Sequence, residues 1–108
     1  MGVFLLLAVL LFGACSAAPS ADSSLPAATV DGVVTRVEGT SPTDVTTFTV
    51  RTVDGRLIDF SVARLDLTAG AFPAGHLREH LATAQPVRVT YVEGASTRMA
   101  IRLEDAPT

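Results

Sequence analysis

With 108 residues the chain has room for one domain, and its first fourteen are apolar or small, which leaves few residues for a core. Eleven acidic residues face eight basic ones, all of them Arg, for a net charge of -3, and there is no Trp. A nucleic-acid binder carries a basic surplus and stacking aromatics, so that class is excluded, and a single cysteine rules out an internal disulfide and a thiolate metal cluster.

Val3 to Phe12 (VFLLLAVLLF) is an unbroken apolar run of ten residues. A membrane-spanning helix needs about twenty, whereas about ten suits the core of an export signal. Small residues Gly13 and Ala14 follow, and then Cys15. The segment Leu11-Phe12-Gly13-Ala14-Cys15 resembles the bacterial lipobox, the small-residue-then-cysteine pattern read by the lipidation machinery. The resemblance implies a diacylglyceryl group on the Cys15 thiol, cleavage just before Cys15 and acylation of the new amine. Two or three acyl chains make a stable membrane anchor. The alternative is secretion, with cleavage after Ser16 and loss of the cysteine. Residues 1–14 are therefore the expected signal. Residues 15–28 are the expected lipidated cysteine and a tether rich in Ser, Ala and Pro, which lacks any hydrophobic period. Its thirteen residues from Ser16 to Ala28 would reach roughly 20 Å.

The folded domain is expected over residues 29–105. Thr29 to Glu38 is rich in β-branched residues and reads as a strand, with Gly32 marking a bend or bulge. Gly39 to Asp44 reads as a loop. Val45 to Val53 and Arg56 to Val62 flank Asp54-Gly55, a hairpin signal. Parity fixes the register. A two-residue turn would place Phe48 against Ser61, whereas a three-residue loop, Val53-Asp54-Gly55, places Phe48 against Phe60 and Val50 against Ile58. The second choice pairs only apolar residues, so a type I turn with a left-handed Gly55 and a G1 bulge is predicted. The opposite face of this hairpin then carries Thr47, Thr49, Arg51, Asp59 and Ser61.

Ala63 to Gly75 is irregular. His76 to Ala84 reads as a short helix with an apolar stripe of Leu77 and Leu81, stopped by Pro86. Pro86 to Glu93 alternates, with Val87, Val89 and Tyr91 inward. Thr97 to Glu104 does the same, with Met99, Ile101 and Leu103 inward, and Gly94-Ala95-Ser96 joins the two. Asp105 begins a polar tail, of which residues 106–108 lie beyond the domain.

Three strands, a short helix and two more strands give a mainly β fold. This order is similar to that of an OB-fold, a five-stranded, partly open barrel with one helix between strands 3 and 4. An SH3-like barrel or a small open α+β sheet is the alternative. A domain of this size holds one barrel rather than an enclosed catalytic cavity, so neither enzyme activity nor a cofactor is expected.

Three surfaces are candidates for binding. The hairpin face of Thr47, Thr49, Arg51, Asp59 and Ser61 lies where an OB-like barrel would offer a ligand surface. It lacks the exposed aromatics that oligonucleotide and sugar binders use, so sparse polar β-surface is the competing description. Arg88, Arg98 and Arg102 form an outward stripe that would contact lipid phosphates or an acidic partner, or else pair with Glu93 and Glu104. His76-Leu77-Arg78-Glu79-His80 is an H-x-x-E-H string, similar to that of the inverzincin metallopeptidases. The resemblance implies His76 and His80 as zinc ligands and Glu79 as a general base. Those enzymes are far larger and supply a third ligand and a substrate cleft, so catalysis is not expected. What remains is metal binding through the i, i+4 pair His76 and His80, or a solvated helix face. The leading expectation is thus an exported, lipid-anchored envelope protein. Its non-catalytic domain would bind another protein or a small ligand, and it would meet the membrane only through the anchor. A metal-binding protein using His76 and His80 is the alternative.

Overall fold

The computed structural model describes residues 26–107. The expected export signal, Cys15 and nearly all of the expected tether lie outside the described residues. Five strands follow in chain order: β1 (Ala28–Ser41), β2 (Asp44–Thr52), β3 (Leu57–Val62), β4 (Val87–Glu93) and β5 (Arg98–Asp105). Between β3 and β4 lie a single 3₁₀ turn, Ala74–His76, and one helix, α1 (Leu77–Thr83). The strands close into a barrel in the order β1-β2-β3-β5-β4, with β1 also paired to β4. Every pairing is antiparallel except β3 with β5. This is the OB-like arrangement, and its closure removes the open α+β alternative.

β1 is long because it serves two neighbours. Ala28 to Gly32 pairs with β4, and Gly32 to Ser41 pairs with β2. Gly32 is the handover point, matched to Thr52 on one side and Val87 on the other. A Cβ there would stand 2.4 Å from the Arg51 carbonyl oxygen, so only glycine admits this approach of backbones. The expected bulge itself falls three residues later, at Thr35, where the register steps between Val34 and Arg36.

The expected loop at Gly39 to Asp44 is mostly strand. Pairing continues to Ser41 with Asp44, leaving a tight turn at Pro42-Thr43. The hydroxyl and carboxylate groups that suggested a loop close the hairpin end instead. The Asp44 amide donates to Ser41 Oγ at 3.1 Å, and the Thr40 hydroxyl donates to the Asp44 carboxylate. At the β2–β3 hairpin the three-residue loop is as expected. Phe48 faces Phe60, Val50 faces Ile58, the Gly55 amide closes the turn on the Thr52 carbonyl at 2.9 Å, and Gly55 has φ +88°.

The core fills the barrel with Phe48 and Phe60 stacked at 5.1 Å and Tyr91 edge-on to Phe60 at 5.2 Å. Val34, Val50, Val87, Val89 and Leu103 are fully enclosed around them. In β5 the expected alternation holds for Leu103 and fails further back: Ala100 is inward, while Met99 and Ile101 are half-buried. The cause is a bulge. Tyr91 pairs with Ala100 and Thr90 with Arg102, so Ile101 is an extra residue and parity flips before it.

Residues 63–72 run irregularly along β5 and hydrogen-bond to its Ala100, Ile101 and Leu103 carbonyls through the amides of Ala63, Asp66 and Phe72. Helix α1 caps one side of the core. Its buried residues are Leu77 and His80, whereas Leu81 is 39% exposed. The Leu77/Leu81 stripe is thus replaced by a Leu77/His80 face. On a helix His80 lies about 60° to one side of Leu77 and Leu81 about 40° to the other, and the packing chose the histidine side. The chain end is also packed: Ala106 is buried and its amide donates to the Pro86 carbonyl at 3.1 Å.

Candidate functional site

Two concave polar regions carry the sequence candidates. The first is a groove of about 230 Å³ across β1, β2 and β3. Thr47, Thr49, Asp59 and Ser61 line it as expected, because Thr47 pairs with Ser61 and Thr49 with Asp59 on the face turned away from the Phe48–Phe60 stack. Arg51 does not line it; it borders a separate hollow with Asp31, Val33 and Pro107. Arg36 and Glu38 of β1 and Thr97 before β5 complete the groove. Its groups are tied to one another. Thr49 donates to Asp59 at 2.6 Å, Thr47 donates to Glu38 at 3.2 Å, Thr97 donates to Ser61 at 3.1 Å, and Arg36 pairs with Glu38. The Phe48 and Phe60 rings point into the barrel from the other face of the same strands and are about 1% exposed, so they offer the groove no stacking platform.

The second region is a cleft of about 400 Å³ at the C-terminal end of α1, lined by His76, Glu79, His80, Thr83, Gln85, Pro86, Asp105 and Ala106. His76 and His80 sit one turn apart with ring centroids 5.0 Å from each other. Phe72 holds both: it stacks on His80 at 5.1 Å and meets His76 edge-on at 4.6 Å. The solvated-face reading fails for His80, which is only 4% exposed. Both its nitrogens are engaged, Nδ1 at 2.8 Å from the Gln85 carbonyl oxygen and Nε2 at 2.8 Å from Asp105 Oδ1. A carbonyl only accepts, so Nδ1 carries a proton and donates it to Gln85. Ala84, left-handed at φ 62°, turns the chain between the helix and Gln85. His76 Nδ1 stands 3.6 Å from Glu79 Oε1.

Asp105 is the residue that sequence reasoning missed here. The sequence places it in a polar tail, whereas it is the last residue of β5, paired with Val87. The donor atoms of His76, His80 and Asp105 all lie within 4.8 Å of one another.

The arginine stripe is occupied by intramolecular partners. Arg88 grips Asp31 with two hydrogen bonds, at 2.8 and 2.9 Å, joining β4 to β1. Arg98 pairs with Glu93 at 3.4 Å. Arg102 binds Asp66 at 3.3 Å and Thr68 at 2.9 Å, and it pairs with Glu104. These contacts explain the carboxyls held below their ordinary range. Hydrogen bonds from Arg88 lower Asp31, and the Thr52 and Thr68 hydroxyls lower Asp54 and Asp66 respectively. All three serve a strand seam or a turn and line neither the groove nor the cleft.

The chain matches no protein-family model, and comparison with curated proteins and with solved structures likewise returns no match. Among the described residues no helix is long and apolar enough to cross a membrane.

Proposed function

We propose that the protein is an exported, lipid-anchored envelope component whose barrel binds a polar ligand or a polar segment of another envelope protein in the β1–β3 groove. The observation that carries the binding reading is the groove itself: four hydroxyls, two carboxylates and one guanidinium gathered on the outer face of paired strands. Those groups are held in place by the strand pairs beneath them, so little ordering entropy is lost when a ligand exchanges hydrogen bonds with them. Asp59 has a hydroxyl partner, whereas Glu38 is matched by Arg36, so the groove as a whole favours neutral or cationic groups. The anchoring reading rests on the lipobox-like segment ending at Cys15 and on the tether that follows. A tether of that length keeps the groove close to the bilayer while leaving the barrel free to turn.

One experiment tests both halves. A photo-crosslinking residue is placed at Thr97, on the groove, or at Leu67, which is exposed outside it, in the full chain with Cys15 or with Cys15→Ser. The expected result is a discrete crosslinked species from Thr97 only, together with release of the Cys15→Ser protein from the membrane fraction. Equal crosslinking from both positions would remove the groove reading, and unchanged fractionation of Cys15→Ser would remove the anchor.

A further inference from the structure

We propose that His76, His80 and Asp105 form a binding site for one divalent first-row transition-metal ion of the zinc class, separate from the groove and independent of the reading given for it.

The donor set fits that class and no other common one. Two imidazole nitrogens and one carboxylate oxygen suit zinc and its neighbours; calcium and magnesium take oxygen donors only, and copper(I) prefers sulfur. The donors come from two elements that the fold brings together, the histidines from the turn into α1 and from α1 itself, the carboxylate from the end of β5. All lie within 4.8 Å of one another, a spread that small side-chain rotations can close.

His80 is prepared for the role by its surroundings. Metal-bound histidines characteristically donate their second ring N–H to a carbonyl or carboxylate, which fixes the tautomer and aims the other nitrogen at the ion. His80 already has this arrangement: Nδ1 is committed to the Gln85 carbonyl, Phe72 fixes the ring plane, and Nε2 faces the cleft. Without metal, Nε2 contacts Asp105 at 2.8 Å, a separation that accommodates a shared hydrogen. Donors on a tetrahedral zinc sit about 3.3 Å apart, so loading moves Asp105 back by about half an ångström. Its side chain is 75% exposed and free to do so. The metal takes the place of the hydrogen, which leaves for solvent, and the Asp105 carboxylate becomes a ligand.

Three protein donors leave a fourth tetrahedral position facing the cleft, where water or the nearby Glu79 carboxylate completes the shell. A loaded site would fasten the end of β5 to α1, so metal binding also stiffens that corner of the barrel.

The test uses the tag-free full chain carrying Cys15→Ser, which removes the only thiol, stripped with chelator and titrated with zinc chloride by calorimetry. The expected result is one zinc per chain, with binding weakened at least tenfold by His76→Ala and by Asp105→Asn. These two variants keep the buried His80, and circular dichroism confirms that they fold. A rise in melting temperature with zinc should accompany binding and be lost in both. Absence of stoichiometric zinc, or equal affinity in the parent and both variants, overturns the site and leaves the groove reading untouched.

Discussion

The groove draws most of its polar side chains from adjacent strands of one sheet, and its threonines there are answered by a neighbour a strand away: Thr49 by Asp59, Thr47 by Glu38. The histidine cleft draws on a helix, a left-handed turn and the end of a distant strand, and at its centre sits a polar ring that is almost wholly enclosed. The same small barrel thus carries a polar region whose groups remain near water and another whose key group has left it. Burying a hydrogen-bonding ring is tolerable only when each of its polar atoms is satisfied, so the cleft depends on its partners far more than the groove does.

Paired truncations sharpen that contrast most. His80→Ala removes a side chain stacked on Phe72, opens a void beside it and leaves the Gln85 carbonyl without its donor, so a loss of about 2–4 kcal/mol is expected in urea unfolding. Thr49→Ala removes a hydrogen bond that solvent replaces, and a change within about 0.5 kcal/mol is expected. Similar losses at the two positions would mean that the groove is as enclosed as the cleft.

The same contrast governs what could be read from the sequence. The β2–β3 hairpin was legible because a two-residue period has one register that pairs Phe48 with Phe60, and the turn residues agree with it. Four of the five face residues named from that register line the groove. Arg36 and Glu38 were not foreseen, because β1 reaches the groove only after the bulge at Thr35, and bulges leave no mark in alternation. In β5 the bulge at Ile101 reversed the inward set for the same reason. The helix posed a different difficulty. Leu81 is the more apolar choice, and burial of His80 follows from Phe72, Gln85 and Asp105, which lie outside the helix in segments that read as loop and tail. A hydrophobic stripe is a property of one element, whereas a satisfied buried histidine is a property of three.

A smaller effect probes how the cleft is held. Ala84 ends α1 in left-handed backbone, φ 62°, where a Cβ costs roughly 1–2 kcal/mol and glycine is the usual occupant. Ala84→Gly relieves that strain but gives the unfolded chain more freedom, so a net gain of about 0.5–1 kcal/mol is expected, with the Gln85 carbonyl still on His80. Destabilisation in thermal melts would show that the alanine methyl makes a packing contact that outweighs the strain.

The smallest expected effect separates both regions from the seam between β1 and β4. Hydrogen bonds from Arg88 hold the Asp31 carboxyl below the ordinary value of 3.8. A carboxyl lowered by folding binds its proton less readily in the folded chain than in the unfolded one. Its contribution is therefore complete above the unfolded value and fades as pH falls through the folded one. Asp54 and Asp66 are lowered too, so the melting temperature of the parent protein alone would mix three carboxyls. The difference between parent and Asp31→Asn isolates one of them, since the turns that lower the other two are the same in both proteins. That difference should be constant from about pH 7 down to about pH 5 and shrink as pH falls below the ordinary carboxyl value and on through the lowered one. Both partners of the pair are more than a third exposed, so salt should reduce the difference at every pH. A difference independent of pH would mean that Arg88 holds the protonated carboxyl as firmly as the carboxylate, and that the seam rests on hydrogen-bond geometry without a charge component.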